Sequence, residues 1–575
     1  MPEEEEVGRR SPTLGGKARL TATQRANRTH NSPIGRPRPR PARKRGGQRG
    51  GFAVFALFLA LSAVVAITVV GRLHQASDLS YASPYGRAAH AVIFVIDGAS
   101  AGDLQSPGLK SIRALEDRGV RYSEAWVGQV EGVPAASGAT VSTGSFPAAT
   151  GVLGNAWTDA KSGQVRYPAD PSQVLVGSLD QVMETRPVTP VATLIKTRNP
   201  RAHVLSVGGE SCAGAAAAAA WTADYIVCAV REGPRWLATT VVGHDLPAGT
   251  LSNGVAPAGG PRDRRFAVRV QGWPLGQQDL WVARQTVDAM RRVHPALTVV
   301  TFGELGILLQ FAPAPLRQEV KMRVMAGVDR DIALIEREMQ RERVFRSSVF
   351  VVTSGRALSP IRSRLRRSAL ETAVIAAGGV QNYLQSDTAS FLGLSTIIQA
   401  QPVAQAIQDQ RLGGVDAIYY KNRNGSSWSY QLQYPNPDLP ARFADSSSYL
   451  LSTMATSDSA DVVVSYAPGT GTGGVARGGF AQTSGSLGLQ WDNQHVPLII
   501  AGHGVNQGVV SSFPARLVDI APTVESLLGL TPPRVDGVVL ADALIEPHAG
   551  ATERQQKRAG PLTRVVQSLR QRLSL

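Results

Sequence analysis

The stretch Ala91-Val-Ile-Phe-Val-Ile-Asp97-Gly98 decides the fold. Six apolar residues, four of them β-branched, run without polar alternation and stop at a carboxylate followed by glycine. A run so short and so uniformly apolar reads as a strand buried on both faces. Val204–Val207, Leu297–Thr301, Val349–Thr353 and Val496–Ala501 repeat the pattern. Leu109–Arg118 and Met325–Gln340 have helical spacing; in the second, Val328, Ile332, Ile335 and Met339 recur at intervals of three and four. Alternating strands and helices predict an α/β domain, with a central mostly parallel sheet and helices on both faces. In such sheets ligands sit beyond the carboxyl ends of the strands, where Asp97 falls.

Ahead of this domain the chain changes character. Gly50 to Gly71 contains no charged side chain, and Phe52–Val70 is broken only by Ser62 and Thr68. Twenty helical residues rise about 30 Å, the thickness of a bilayer's hydrocarbon core. Residues 51–71 are therefore expected to form one transmembrane helix, an uncleaved signal-anchor. A cleaved signal peptide is the rival reading, although its apolar region usually runs only about 7–15 residues. Residues 1–49 hold 13 Lys/Arg against four Glu. By the positive-inside rule this end stays cytoplasmic, and the region after residue 72 lies outside the membrane. The Pro/Arg/Gly-rich stretch Ser32–Gly50 lacks the apolar content to fold, so residues 1–50 read as a basic solvated tail beside anionic lipid. Residues 72–88 read as a linker.

The 575 residues carry a net charge of +16, which invites a nucleic-acid reading. That reading fails on distribution, because most of the excess lies in the first 49 residues, and on composition, because only eight of the 60 basic residues are Lys. Cys212 and Cys228 fall on the outer side, where an oxidising compartment permits a disulfide; spacing alone leaves bridged and free thiols both open. No short Cys/His spacing forms a structural zinc module. Residues 159–293, richer in Gly, Pro and Trp, read as an inserted cap. In the tail 546–575, Leu562, Val565, Val566, Leu569 and Leu573 line one stripe among arginines. Packing on the chain's own domain is the preferred reading of that helix, over a membrane surface.

Several segments resemble, in order, the alkaline phosphatase superfamily and specifically its nucleotide pyrophosphatase/phosphodiesterase branch. The strand ending at Asp97 is followed by Ser137-Gly-Ala-Thr-Val-Ser-Thr-Gly144, similar to the family's SHATxxTG. Next come Phe146-Pro147 and Gly151-Val-Leu-Gly-Asn-Ala-Trp157, similar to HGxxGNxW. Phe350-Val-Val-Thr-Ser354 resembles the strand before the family's DHG. Asp492-Asn-Gln-His-Val-Pro-Leu-Ile-Ile-Ala-Gly502 resembles DxxHVPLIxxG, and Val518-Asp-Ile-Ala-Pro-Thr-Val-Glu-Ser-Leu-Leu-Gly529 resembles VDIAPTxxxLLG. The likeness implies one alkaline phosphatase-like domain over residues 89–545.

Members of that family hydrolyse phosphate esters with two metal ions, usually zinc, each held by about three Asp/His ligands. Carried over residue by residue, the resemblance implies a depleted site. Asp97 matches a metal ligand, and Asn155 matches the phosphate-contacting GN position. The nucleophile falls on Pro134, which has no hydroxyl, with Thr140 the nearby alternative. The PDxxxH pair becomes Glu304 and Leu308, the DHG pair becomes Gly355-Arg356, and the HGS histidine becomes Ser484. Two oxygen ligands remain, enough for a residual divalent cation but not for a zinc pair. Arg356 in a ligand-His position is expected to fill the cationic hole with a bidentate pair to Asp97.

Each residue also has a plainer reading. Asp97 is either an inherited ligand or a helix cap, and Asn155 either a phosphate contact or a turn residue. Glu304 is either a residual ligand or a solvated carboxylate. Arg356 is either the stand-in for metal or part of an exposed basic segment with Arg362, Arg364, Arg366 and Arg367. The sequence thus predicts a single-pass cell-membrane protein whose outer domain is a catalytically inactive relative of phosphodiesterases. It would work as a binding or scaffolding module with an envelope protein partner, and an anionic or phosphate-bearing ligand is expected at Asn155 and Arg356. An active hydrolase is the alternative, recruiting Glu131, Glu304 or His495 as ligands.

Overall fold

The computed structural model describes residues 88–209, 212–232, 235–248, 250, 277–440, 443–473 and 481–571. The expected transmembrane helix over 51–71, the tail before it and most of the linker lie outside the described residues. No described helix is long and apolar enough to cross a membrane.

In chain order the first strands are β1 (His90–Ile96), β2 (Gly119–Tyr122), β3 (Val204–Gly208), β4 (Tyr225–Glu232), β5 (Arg235–Thr240), β6 (Leu297–Phe302) and β7 (Ser348–Thr353). A second sheet follows, made of β8 (Gln381–Ser386), β9 (Ala389–Leu394), β10 (Val415–Asn424), β11 (Ser427–Pro435) and β12 (Val462–Tyr466). β13 (Leu498–Gly502) and β14 (Val509–Ser511) return to the first. The main sheet has nine strands in the order β14-β2-β13-β7-β1-β6-β3-β4-β5. Its centre is parallel, with β1 between β6 and β7. β13 runs antiparallel to β7, although its apolar run reads like the others. Burial on both faces sets the composition of such a strand, and it is the same for either direction.

Alternation along β1 separates two cores. Ala91 and Ile93 face one, with α2 (Pro134–Thr143), α3 (Cys212–Ala219) and α7 (Ile520–Leu527). Val92, Phe94 and Ile96 face the other, with α1 (Lys110–Asp117), α4 (Gln277–Val293), α5 (Glu304–Phe311) and α6 (Arg317–Arg341). The stripe Val328, Ile332, Ile335 and Met339 is buried there, which is why α6 docks along its full length.

One expectation is corrected. Residues 159–293 are not a separate cap, since they supply β3, β4 and β5 to the main sheet. Gly, Pro and Trp report turn content rather than layer, whereas the fully buried Val204–Gly208 marks a central strand. The added layer comes instead from β8–β12, in the order β8-β9-β12-β10-β11, with its own core around Leu370, Val403, Ile407 and Val462. The helix expected within 546–575 packs on the chain's own domain, as its apolar stripe implied. In α8 (Ala551–Arg570), Leu562, Val566 and Leu569 are buried in the first core, Ser568 bonds to Ser446, and Arg570 pairs with Glu124 at 2.9 Å. Cys212 and Cys228 form a disulfide, Cα–Cα 5.4 Å, joining α3 to β4.

Candidate functional site

The site lies at the carboxyl ends of the three central parallel strands. β1 delivers Asp97, β6 delivers Gly303 and Glu304, and β7 delivers Gly355 and Arg356. The Asp97 backbone N–H donates to Phe302 O at 2.9 Å, fixing the carboxylate against β6. Arg356 turns inward onto it: Nε donates to Asp97 Oδ1 at 2.7 Å and Nη2 to Oδ2 at 2.8 Å. Nη1 reaches Ser486 Oγ at 3.4 Å. Asp97 is 2% and Arg356 8% exposed, so the pair is a buried bidentate fork. Burial alone would lower the arginine's pKa, yet Asp97, aided by Asp387, holds it above the usual value.

Asp387, which the sequence reading missed, sits behind the guanidinium. It accepts backbone N–H bonds from Thr388, Ser486 and Leu487. Burial pushes its pKa up and those donors pull it back. Glu131 is fully buried next to it, and burial reinforced by the Asp387 charge raises its pKa well above the carboxylate range. Gln385 Nε2 donates to Glu131 Oε2 at 3.3 Å, and the same side chain's Oε1 receives the Asn155 backbone N–H. Asp279, also missed, caps the start of α5 by accepting from Gly303 and Glu304. Its pKa is raised to about 7, chiefly by burial, with Asp97 adding to it. Asp279 and Asp387 stand in no motif; only the folded chain brings Asp279 near Asp97 and Asp387 near Arg356.

The remaining positions offer little room for the side chains that the resemblance places there. At Gly138, where the resemblance puts a histidine, a Cβ would lie 2.4 Å from Gly214 O of α3. At Gly355, where it puts an aspartate, a Cβ would meet Ser137 Cβ at 2.9 Å. At Gly306 a Cβ would come within 2.2 Å of Asp97 Oδ2. Leu308 is buried in the second core, and Ser484 Oγ donates to Leu309 O at 2.7 Å. The Ala-rich α3 occupies the room that a side chain at position 138 would need.

The structure does not bring the other candidates together. Thr140 is fully buried and donates to Gln129 Oε1 at 2.6 Å, within the packing of α2. Pro134 opens that helix, packed beside Gly214. Asn155 is exposed, whereas Arg356 is buried on Asp97, so the two do not converge on an anion. Glu304 is buried at the first turn of α5, not solvated. His495 places Nε2 3.0 Å from Ser123 O and stacks on Trp491. Among the described residues no three His, Cys, Asp or Glu side chains converge as metal ligands. A zinc pair does not fit these donors, because of the two carboxylates in inherited positions Asp97 is already engaged by a guanidinium and Glu304 alone is too few.

Sheet order, the added layer and a site at the carboxyl edge of β1 define an alkaline phosphatase-like α/β fold. The chain belongs to the type I phosphodiesterase / nucleotide pyrophosphatase family, whose sequence profile matches residues 91–471. Among solved structures it is similar to the alkaline phosphatase PafA, with TM-score 0.59 and 14% identity over 81% of this chain and 100% of that one. It is also similar to murine ectonucleotide pyrophosphatase / phosphodiesterase 5, with TM-score 0.52 and 10% identity over 78% and 97% of the two chains. The human form of that protein matches at TM-score 0.52 and 11% identity, over 80% and 100%. No curated protein sequence matches the chain.

Proposed function

We propose that this chain is a membrane-anchored, extracytoplasmic member of its family that has given up metal-dependent hydrolysis and serves as a binding or scaffolding module for an envelope partner. The observation that carries the reading is the buried fork between Arg356 and Asp97. A carboxylate that accepts two charge-assisted hydrogen bonds has its charge matched in place, and a dication brought to it would face the guanidinium at contact distance. The absence of side-chain room at Gly138 and Gly355, and of a hydroxyl at Pro134, argues in the same direction. The disulfide supports an oxidising compartment for the domain, in keeping with the apolar run Phe52–Val70 as its anchor.

The test uses the intact chain, purified in detergent without chelator. Metal content is measured by mass spectrometry and turnover with bis(4-nitrophenyl) phosphate, with and without added zinc. The expected result is less than one zinc per chain and no turnover above that of an Asp97→Ala variant. Two bound zinc ions, or hydrolysis that Asp97→Ala removes, would overturn the reading in favour of an active hydrolase.

A further inference from the structure

The second sheet ends on a long strand without charge. β11 is its outermost strand, and among the described residues it pairs only with β10. Its outer N–H and C=O groups bond to no other described backbone. Sheet edges are normally kept short, charged, bulged or covered, because their free backbone groups will pair with another extended chain. The other edges follow that rule. β14 has three residues, and β5 and β8 have six each. β8 also carries a register irregularity between Gln381 and Tyr383, and its Asn382 Nδ2 donates to Thr158 Oγ1 at 3.3 Å.

β11 is nine residues long, and Ser427-Trp-Ser-Tyr-Gln-Leu-Gln-Tyr-Pro435 contains no charged side chain. Its one register shift, opposite Ile418 and Tyr419, lies at the carboxyl end and leaves Ser427–Leu432 regular. Pairing with β10 sets Trp428, Tyr430 and Leu432 on one face, across from Arg423, Lys421 and Tyr419. The strand is held from within: Tyr430 Oη donates to Ala460 O at 2.7 Å, and Lys421 and Arg423 lie 5.4 and 5.5 Å from the Trp428 ring centroid. Its outer side stays open, since Ser427, Ser429 and Gln431 are exposed and Leu432 is 40% exposed.

We propose that β11 is the docking surface for a second copy of this chain, pairing antiparallel with its own equivalent about a two-fold axis at Tyr430 and joining the two second sheets into one. In that register Trp428 stands opposite the partner's Leu432, and Ser429 opposite the partner's Gln431. Apolar meets apolar and polar meets polar, so the strand is its own complement, and the two-fold closes the assembly at two chains. Lys421 is neutralised by Asp461 at 2.9 Å. Arg423 lies one strand further in, so the two copies keep theirs at least three strand spacings apart, about 14 Å and beyond a Debye length. The regular part of β11 spans only about 20 Å, so the dimer is weak, forming at micromolar concentration or above. The pairing goes beyond the reading of the Asp97 crevice and does not depend on it.

The intact chain in detergent is followed by sedimentation equilibrium up to about 100 µM, a range that reveals small interfaces. The parent should show a dimer that grows with concentration. Ser429→Lys combined with Gln431→Lys puts like charges across the two-fold and should weaken it about tenfold or more, with the thermal transition in place. An equimolar copy carrying Ser429→Glu and Gln431→Glu should restore pairing with the lysine chain. Opposed residues of an antiparallel pair lie about 4.5–5.5 Å apart at Cα, within disulfide reach. Ser429→Cys and Gln431→Cys chains, mixed and mildly oxidised, should therefore link to each other, whereas Ser172→Cys, exposed on another element, should link to neither. A parent that stays monomeric, a lysine variant that dimerises as well as the parent, or linking that is equally efficient through Ser172→Cys would overturn the proposal. So would a β11 edge that captures an extended segment of another protein while the chain itself remains a monomer. Should the lysine variant unfold, failure of the two cysteine chains to link is by itself sufficient to refute it.

Discussion

Arg356 and Asp97 meet across 259 positions of chain. Removing one member of such a pair leaves an uncompensated charge among groups that water does not reach, at a cost of about 3–5 kcal/mol. Arg356→Met should therefore lower the unfolding free energy by that amount in urea titrations, and Asp97→Leu combined with Arg356→Met should recover much of it. Additive losses in the double variant would show that the two side chains act separately. The same logic bears on Glu131: burial, reinforced by the neighbouring Asp387, raises its pKa and so favours the neutral acid beside the fork.

At the scale of elements, α7 shows how a motif is carried by packing rather than by chemistry. Its sequence resembles the family's closing helix, and its buried Glu525 has both carboxyl oxygens without a hydrogen-bond partner. Burial raises the pKa of this group to about 8. A carboxyl whose folded pKa lies above its unfolded value of about 4.3 binds its proton more tightly in the native state. Its contribution is then intact below the unfolded pKa and declines as pH rises toward 8, by at most about 1.4 kcal/mol per pH unit. Glu525→Gln, which mimics the neutral acid, should match the parent near pH 4.5 and become progressively more stable than it up to pH 8. Parallel stability curves for the two proteins would show that the carboxyl is not held neutral. The pairing of α2 with α3 is a second case, since Gly138 and Gly214 permit backbone contact where the resemblance places a ligand.

For the molecule as a whole, the disulfide and the proposed membrane topology make linked predictions. The Cys212–Cys228 bridge closes a loop of 16 positions, and in the chain-entropy account a loop near that length contributes about 3 kcal/mol. Reduction, or a paired Cys→Ser change, should lower stability by about that much, while an unchanged denaturation midpoint would mean the bridge is not formed in the native protein. With the domain outside the membrane, external protease on intact cells should shorten the chain while sparing an epitope tag placed at its N-terminus. Loss of the tag, with the domain left whole, would reverse the orientation.

Much of this organisation was legible in the linear chain. The five apolar runs became strands of one sheet, because burial on both faces demands that composition wherever the strand lies. Asp97, Arg356 and the substitutions at Pro134, Gly138, Leu308 and Ser484 could be located by order and spacing, since their positions are set locally by strand ends and helix starts. Folding was needed for everything that depends on distance between remote segments. It reversed the direction of β13, moved the added layer from residues 159–293 to β8–β12, and buried Glu304. It also set Asp387 and Asp279 around the fork and put β11 at the edge of the second sheet. Local sequence encodes how a segment pairs its backbone and hides its apolar side, whereas the electrostatic balance of a buried site is a sum over charges contributed by distant parts of the chain, and that sum exists only once they are packed together.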